Sequence, residues 1–244
     1  MRESVKKYSQ YKFHFDWRMF LFTAAFFPFL IALGLWQLER EQQKIDTEKV
    51  YETRNASEPT DISSIDWTNH DLNWFVITAT GFFDNTRQLL LDNRILNSVV
   101  GYEVISPFYT GDRVLLVNRG WIAQGPSRQS LPQLPLTEEQ VTITGHIYVP
   151  DGELIILGAE EAVTDSWPKV IQSVDIQILG SVMDEAFEPH VVRLDENSTA
   201  VLQTNWTAIN MRPEVHRAYA VQWFVMASVL MFLYLFFSIR KLER

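Results

Sequence analysis

Two uncharged apolar runs, Met19–Leu38 and Ala218–Ile239, bracket the chain and limit what it can fold into. They hold 20 and 22 residues. At the helical rise they reach about 30 and 33 Å, enough to cross a hydrocarbon core. A buried helix of a soluble protein seldom stays free of charge for five turns, so both runs are expected to span a membrane. Pro28 lies inside the first run, where lipid tolerates a kink whose freed carbonyl finds a local partner. That run is longer than the apolar region of a secretory signal. It is therefore read as a retained anchor. Glu3, Asp16 and the scarcity of serine argue against a mitochondrial transit peptide.

Orientation follows from the flanking bases. Arg2, Lys6, Lys7, Lys12 and Arg18 precede the first run, and Arg240, Lys241 and Arg244 follow the second, so both termini are expected in the cytoplasm. The expected organisation is a cytoplasmic N-terminus (1–18), a transmembrane helix (19–38), a periplasmic mainly β domain (39–217), a second transmembrane helix (218–239) and a cytoplasmic tail (240–244). Removing the eight bases and three acids outside 39–217 from the chain's 21 and 30 leaves that domain 13 bases and 27 acids. The absence of cysteine suits an oxidising compartment without disulfides and excludes CxxC redox or thiolate metal chemistry. Sequons at Asn55, Asn197 and Asn205 would matter only in a secretory pathway. A bacterial inner membrane is the simplest setting.

Glu39–Thr53 continues the first run with polar residues at helical spacing, which predicts a helix projecting beyond the lipid. Short β-branched and aromatic runs follow: Phe75–Gly81, Arg87–Asp92, Tyr102–Ser106, Arg113–Asn118, Val141–Tyr148, Glu153–Leu157 and Val201–Thr207. Thr110-Gly111-Asp112 reads as a hairpin connection, and Pro126–Pro135 as a surface loop. Ser173–Phe187 is the one helix expected inside the domain. The fold class is thus an integral membrane protein with two transmembrane helices flanking a mainly β domain, an antiparallel barrel or sandwich with some helix.

Catalytic signatures are missing. There is no GxSxG, HExxH, phosphate loop or Gly-rich dinucleotide turn, and the five histidines show no metal-ligand spacing. Asp184, Glu185 and Glu188 read as a solvated helix face, and an enzyme is not expected. Attention moves to the outer membrane boundary, where Gly34–Gln37 ends one run and His216–Trp223 begins the other. His216, Tyr219, Ala220 and Trp223 share one helix face, and Trp36, Arg40 and Lys44 another. An aromatic belt with snorkelling bases accounts for Trp36, Tyr219 and Trp223 as well as a site does. Gln37 and Gln222 fit a helix–helix hydrogen bond. An imidazole at an interface, as at His216, can also ligate haem iron, with Arg40, Lys44 or Arg217 against propionates.

Three stretches, GLWQLEREQQK (Gly34–Lys44), GYEVISPFYTGDRVLLVNRGWI (Gly101–Ile122) and HRAYAVQWFVMA (His216–Ala227), together resemble the surfeit locus protein 1 family of cytochrome oxidase assembly factors. The resemblance implies a non-enzymatic factor that binds haem a and assists its insertion into the large catalytic subunit of a haem-copper oxidase. It implies His216 as the iron ligand; Trp36, Tyr219 and Trp223 are then expected to flank the ring, and Gln37 and Arg40 to belong to the same cofactor site. The Asn118-Arg119-Gly120-Trp121 signature is read as architectural: a strand end with Gly120 at a tight turn and Trp121 packing. Haem a synthase and membrane lipid are further implied partners.

A scaffold that clamps an oxidase subunit without stable haem binding is the main alternative, and a membrane-anchored sensor ranks below it. No nucleic-acid role is indicated, because the large domain is acidic and has no basic patch.

Overall fold

The computed structural model describes residues 11–125, 130–137, 139–149, 166–206 and 212–241. The chain divides into two compact units, Met1–Val50 with Ala208–Arg244, and Tyr51–Thr207.

The first unit is a pair of long helices. α1 (Trp17–Asn55) runs for 39 residues straight through Pro28, and its last turn belongs to the second unit. α3 (Pro213–Ser238) has 26 residues and opens on Pro213, where a missing N–H costs nothing. Both are long and apolar enough to cross a membrane, and only 11% of each apolar window is buried by the protein itself. Such a surface needs lipid around it. The few positions each helix buries are mostly small: Thr23 and Gly34 on α1, Ala220, Ala227 and Ser238 on α3. Small residues let two backbones approach where no hydrophobic effect drives them together. The helices are antiparallel, and their ends away from His216 are tied by a two-stranded ladder that the sequence did not suggest. Its strands are β1 (Tyr11–Phe13) and β10 (Ile239–Lys241), with Lys12 opposite Arg240. His14 N donates to Ser238 O at 2.7 Å, which continues the pairing into α3.

The second unit is mainly β. Its strands are β2 (Thr60–Asp61), β3 (Val76–Phe83), β4 (Leu89–Leu96), β5 (Val99–Thr110), β6 (Arg113–Ala123), β7 (Val141–Tyr148), β8 (Lys169–Ile171) and β9 (Phe187–Leu194). They lie in the order β2-β3-β7-β9-β6-β5-β4-β8. β5 is long enough to divide one edge between two neighbours: residues 99–105 pair with β4, while Phe108 and Tyr109 pair with Phe83 and Phe82 of β3. The second pairing closes β3-β7-β9-β6-β5 into a five-stranded barrel. Ile77, Phe108, Leu115, Val117, Ile143 and Val192 fill its interior. Leu89, Leu91, Ile105, Leu116 and Val191 point the other way, under α2 (Ile176–Met183). Alternate residues of one strand thus serve two cores, which is why β4 and β6 read as unbroken apolar runs.

Five expected strands are present: Val141–Tyr148 is β7 residue for residue, β3 and β4 start and end later than expected, β5 and β6 are longer, and the hairpin turns at Gly111 (φ +59°). Val201–Thr207 departs from the expectation. It forms no strand over its described residues, 201–206, and meets β6 only at an isolated bridge between Gln203 and Trp121. β9, inside a segment not expected to be β, takes the β6 edge instead as far as Asn118↔Arg193. The helix expected over Ser173–Phe187 spans only Ile176–Met183, capped by the Asp175 carboxylate and ended by Asp184 in the left-handed region. Phe187 already belongs to β9. The three acids read as a solvated face have structural partners or places: Asp184 is that cap, Glu185 accepts from Tyr109 Oη at 2.8 Å, and Glu188 pairs with Arg113. Glu153–Leu157 and the start of the proline loop lie outside the described residues.

Candidate functional site

The polar residues of the helix pair gather at the end away from the β1–β10 ladder. His216 sits in the first turn of α3 and is half-buried. Its Nδ1 lies 2.8 Å from Oε1 of Gln37 on α1. An amide oxygen only accepts, so Nδ1 donates to it, and in the neutral imidazole that leaves Nε2 unprotonated. That tautomer makes Nε2 the nitrogen able to coordinate a metal, oriented through the ring by Gln37.

One turn further along α1, Glu41 is 6% exposed and its Oε1 accepts from Nε of Arg217 at 2.6 Å. A carboxylate removed from water needs such a partner, so the ion pair fastens the two helices beside His216. Glu41 escaped the sequence reading. The available signal was its place on the stripe Gly34-Gln37-Glu41, spaced by three and four residues and turned toward α3. Arg217, considered as a propionate partner, is committed to Glu41 instead.

Gly34 completes the junction. A Cβ there would stand 2.4 Å from Cε1 of Phe224, so only a bare backbone lets the α3 ring lie against α1. Ala220, one turn beyond His216, is buried at the same junction.

The remaining site candidates are distributed unevenly. Trp36 and Tyr219 are 50% and 47% exposed, and Trp223 is half-buried. Among the described residues no ring contact joins any two of these three. Arg40 is exposed and donates to Gln43 Oε1 at 2.9 Å, with no carboxylate partner among the described residues. Gln222 is exposed and makes no bridge to α1. At about 100° per residue, His216, Tyr219 and Trp223 run down one edge of α3, and Gln37, Arg40 and Trp36 lie toward the same flank of α1. No group of three or more His, Cys, Asp or Glu side chains able to hold a bare metal ion occurs among the described residues.

In the second unit, the Asn-Arg-Gly-Trp signature makes a β-bulge inside β6 rather than a strand end. Val104 pairs with Gly120 and Ile105 with Asn118, leaving Arg119 as the extra residue. Gly120 has φ +112°, and a Cβ there would meet Gln203 O at 2.5 Å. Arg119 turns inward, 1% exposed, donating to Ala200 O and Pro135 O at 3.0 Å each, with its guanidinium 5.1 Å from the Phe83 ring. Burial holds its pKa below the usual arginine value. Trp121 Nε1 donates to Arg94 O at 2.9 Å. The motif therefore ties two loops and the end of β4 to β6 and offers no surface for docking through Arg119.

Comparison with known proteins adds the following. Residues 24–228 match the SURF1 family. The chain is 24% identical over 225 residues to a chicken (Gallus gallus) protein named Surfeit locus protein 1, which covers 83% of this chain and 70% of that protein. It is 26% identical over 140 residues to a SURF1-like protein of Monosiga brevicollis, covering 49% of this chain and 54% of that one.

Proposed function

The chain belongs to the SURF1 family, whose members are known as cytochrome oxidase assembly factors, and on that premise we propose that it holds haem a for insertion into the large catalytic subunit of a haem-copper oxidase. The observation that carries the reading is the hydrogen bond from His216 Nδ1 to Gln37 Oε1, which in the neutral imidazole leaves Nε2 as an oriented ligand. Half-exposed Trp36, Tyr219 and Trp223 offer ring surface at the edge of an apolar helix pair, suited to a greasy macrocycle. Arg40, free of carboxylates, suits a propionate. Haem, when bound, would supply an iron that the His216 imidazole could ligate. This chain binds, orients and releases it, and no catalytic step is assigned.

Holding the group through His216 alone would suit a carrier, because one protein ligand would leave the cargo transferable. The basic flanks of the two helices support a bacterial inner membrane with both termini cytoplasmic and the β domain in the periplasm. Haem a synthase would then supply the cargo and lipid would surround the helices.

The test is an absorption spectrum with pigment extraction of the protein purified in mild detergent from cells making haem a. Stoichiometric haem a that disappears in His216→Ala is the expected result. A colourless protein that still supports oxidase assembly would overturn it. A scaffold is the second reading, favoured by the Glu41–Arg217 pair and the Gly34–Phe224 contact, which spend polar and small residues on joining helices. It predicts normal oxidase assembly in His216→Ala.

A further inference from the structure

A cavity of about 620 Å³ opens on the outer face of the barrel sheet, between strands β4, β5, β6 and β9 and the 172–177 segment that leads into α2. Pockets of about 300–1,000 Å³ are the usual size for small-molecule sites. This one lies wholly in the second unit and is separate from the His216 helix pair. Leu91, Ile105 and Val191 form an apolar floor, continuous with the core under α2.

The charges around it do not cancel at close range. Glu103 accepts from Asn118 Nδ2 at 2.6 Å and lies 3.7 Å from Arg94 Nε. Asp175 is occupied in capping α2, accepting from the backbone of Gln177 and Ile178 at 2.9 and 3.0 Å. Arg193 remains. Its guanidinium stands 3.4 Å from the Tyr148 ring centroid and 4.7 Å from that of Trp206. Among the described residues it forms no ion pair within 4 Å: Glu103 acts on it only at longer range, the Tyr148 side chain hydrogen-bonds it, and its buried Nε makes no hydrogen bond. Two aromatic faces thus fix a largely desolvated cation at the rim of an apolar floor. A guanidinium so placed is stabilised by a planar anion that accepts two parallel N–H donors. The nearby Glu103 and Asp175 disfavour a dianion such as a phosphate monoester, and leave a singly charged group.

We propose that this cavity binds a small amphipathic monocarboxylate, its carboxylate on Arg193 and its apolar body over Leu91, Ile105 and Val191. The site gives the β domain a ligand of its own, independent of what the helices carry.

The test uses the full chain in lipid nanodiscs, titrated calorimetrically with 2-naphthoate and with uncharged 2-naphthamide, and empty nanodiscs as the blank. Naphthoate should bind at least tenfold more tightly than the amide, and Arg193→Gln should erase that preference. Ser173→Trp plugs the mouth without removing a packed group. It should abolish binding at an unchanged melting temperature, which keeps the result readable if Arg193→Gln fails to fold. Equal binding of acid and amide, binding that survives Ser173→Trp, or no binding of naphthoate at all would each overturn the proposal.

Discussion

Gln37 and His216, 179 residues apart in sequence, meet across the two helices through a single 2.8 Å hydrogen bond. The amide oxygen fixes the imidazole tautomer, so changing Gln37 alters the ligand without touching it. Partners of this kind typically contribute about 10–100-fold to metal affinity. Gln37→Leu is therefore expected to weaken haem a binding by about that factor in a spectroscopic titration while leaving the ligated spectrum recognisable. Gln37→Glu, which still accepts from Nδ1, should retain most of the affinity. An unchanged affinity in Gln37→Leu would remove Gln37 from the site.

Gly34 faces the Phe224 ring with no room for a Cβ. Gly34→Val should force the helices apart and cost roughly 1–3 kcal/mol, as overpacking does elsewhere. Thermal unfolding in detergent would show the loss, and Phe224→Ala in the same chain should restore most of it. A Gly34→Val protein as stable as the parent would mean that the helices do not rely on this contact.

Arg119 should matter for stability and not for recognition. Arg119→Met leaves two carbonyl oxygens, of Ala200 and Pro135, without their donor. The expected loss is roughly 2–6 kcal/mol of denaturant stability, two unsatisfied buried acceptors at about 1–3 each. If Arg119→Met folds as stably as the parent but fails to support oxidase assembly, the motif has a docking role after all.

The ion network at Asp84, Arg87, Tyr109 and Glu185 predicts two limbs of pH dependence. Burial raises the Asp84 carboxyl, but hydrogen bonds from Thr86 and Arg87 outweigh it and hold the pKa below the ordinary value. Its contribution is present above about pH 4, the unfolded value, and is lost as pH falls through the lower folded one. The Tyr109 hydroxyl is pushed up to about 12, first by burial and then by its bond to Glu185. The folded protein keeps that proton where the unfolded chain releases it, so stability falls from about pH 10 upward. Asp84→Asn should flatten the acid limb of a melting-temperature profile, and Tyr109→Phe the alkaline one.

Much of this was legible in local pattern. Uncharged runs identify the helix pair, and β-branched runs closed by Gly, Asn or Asp identify five of the strands. What escaped depended on partners distant in sequence. Phe187–Leu194 carries Pro189 and His190 where a strand is hard to see, yet it fills the edge between β6 and β7. Val201–Gln203 looks extended, but Arg119's bulge leaves room for only one bridge. Glu41 is an ordinary surface acid until Arg217 is brought beside it, and Arg193 becomes unusual only between Tyr148 and Trp206. At the helix pair, His216 and Gln37 could be named from sequence, but the hydrogen bond that joins them could not.

The short β1–β10 ladder has a mechanical consequence for the opposite end of the pair. With the ladder ends pinned, α1 and α3 would part like the arms of a pair of tweezers, opening the Glu41–Arg217 pair as they do. α3 spans about 39 Å, so a scissoring of about 5° about the pin would shift its far tip by about 3 Å. That stroke matches the reach of the bond between His216 and Gln37. A slight flexing of the arms would loosen the grip while the pivot stays fastened.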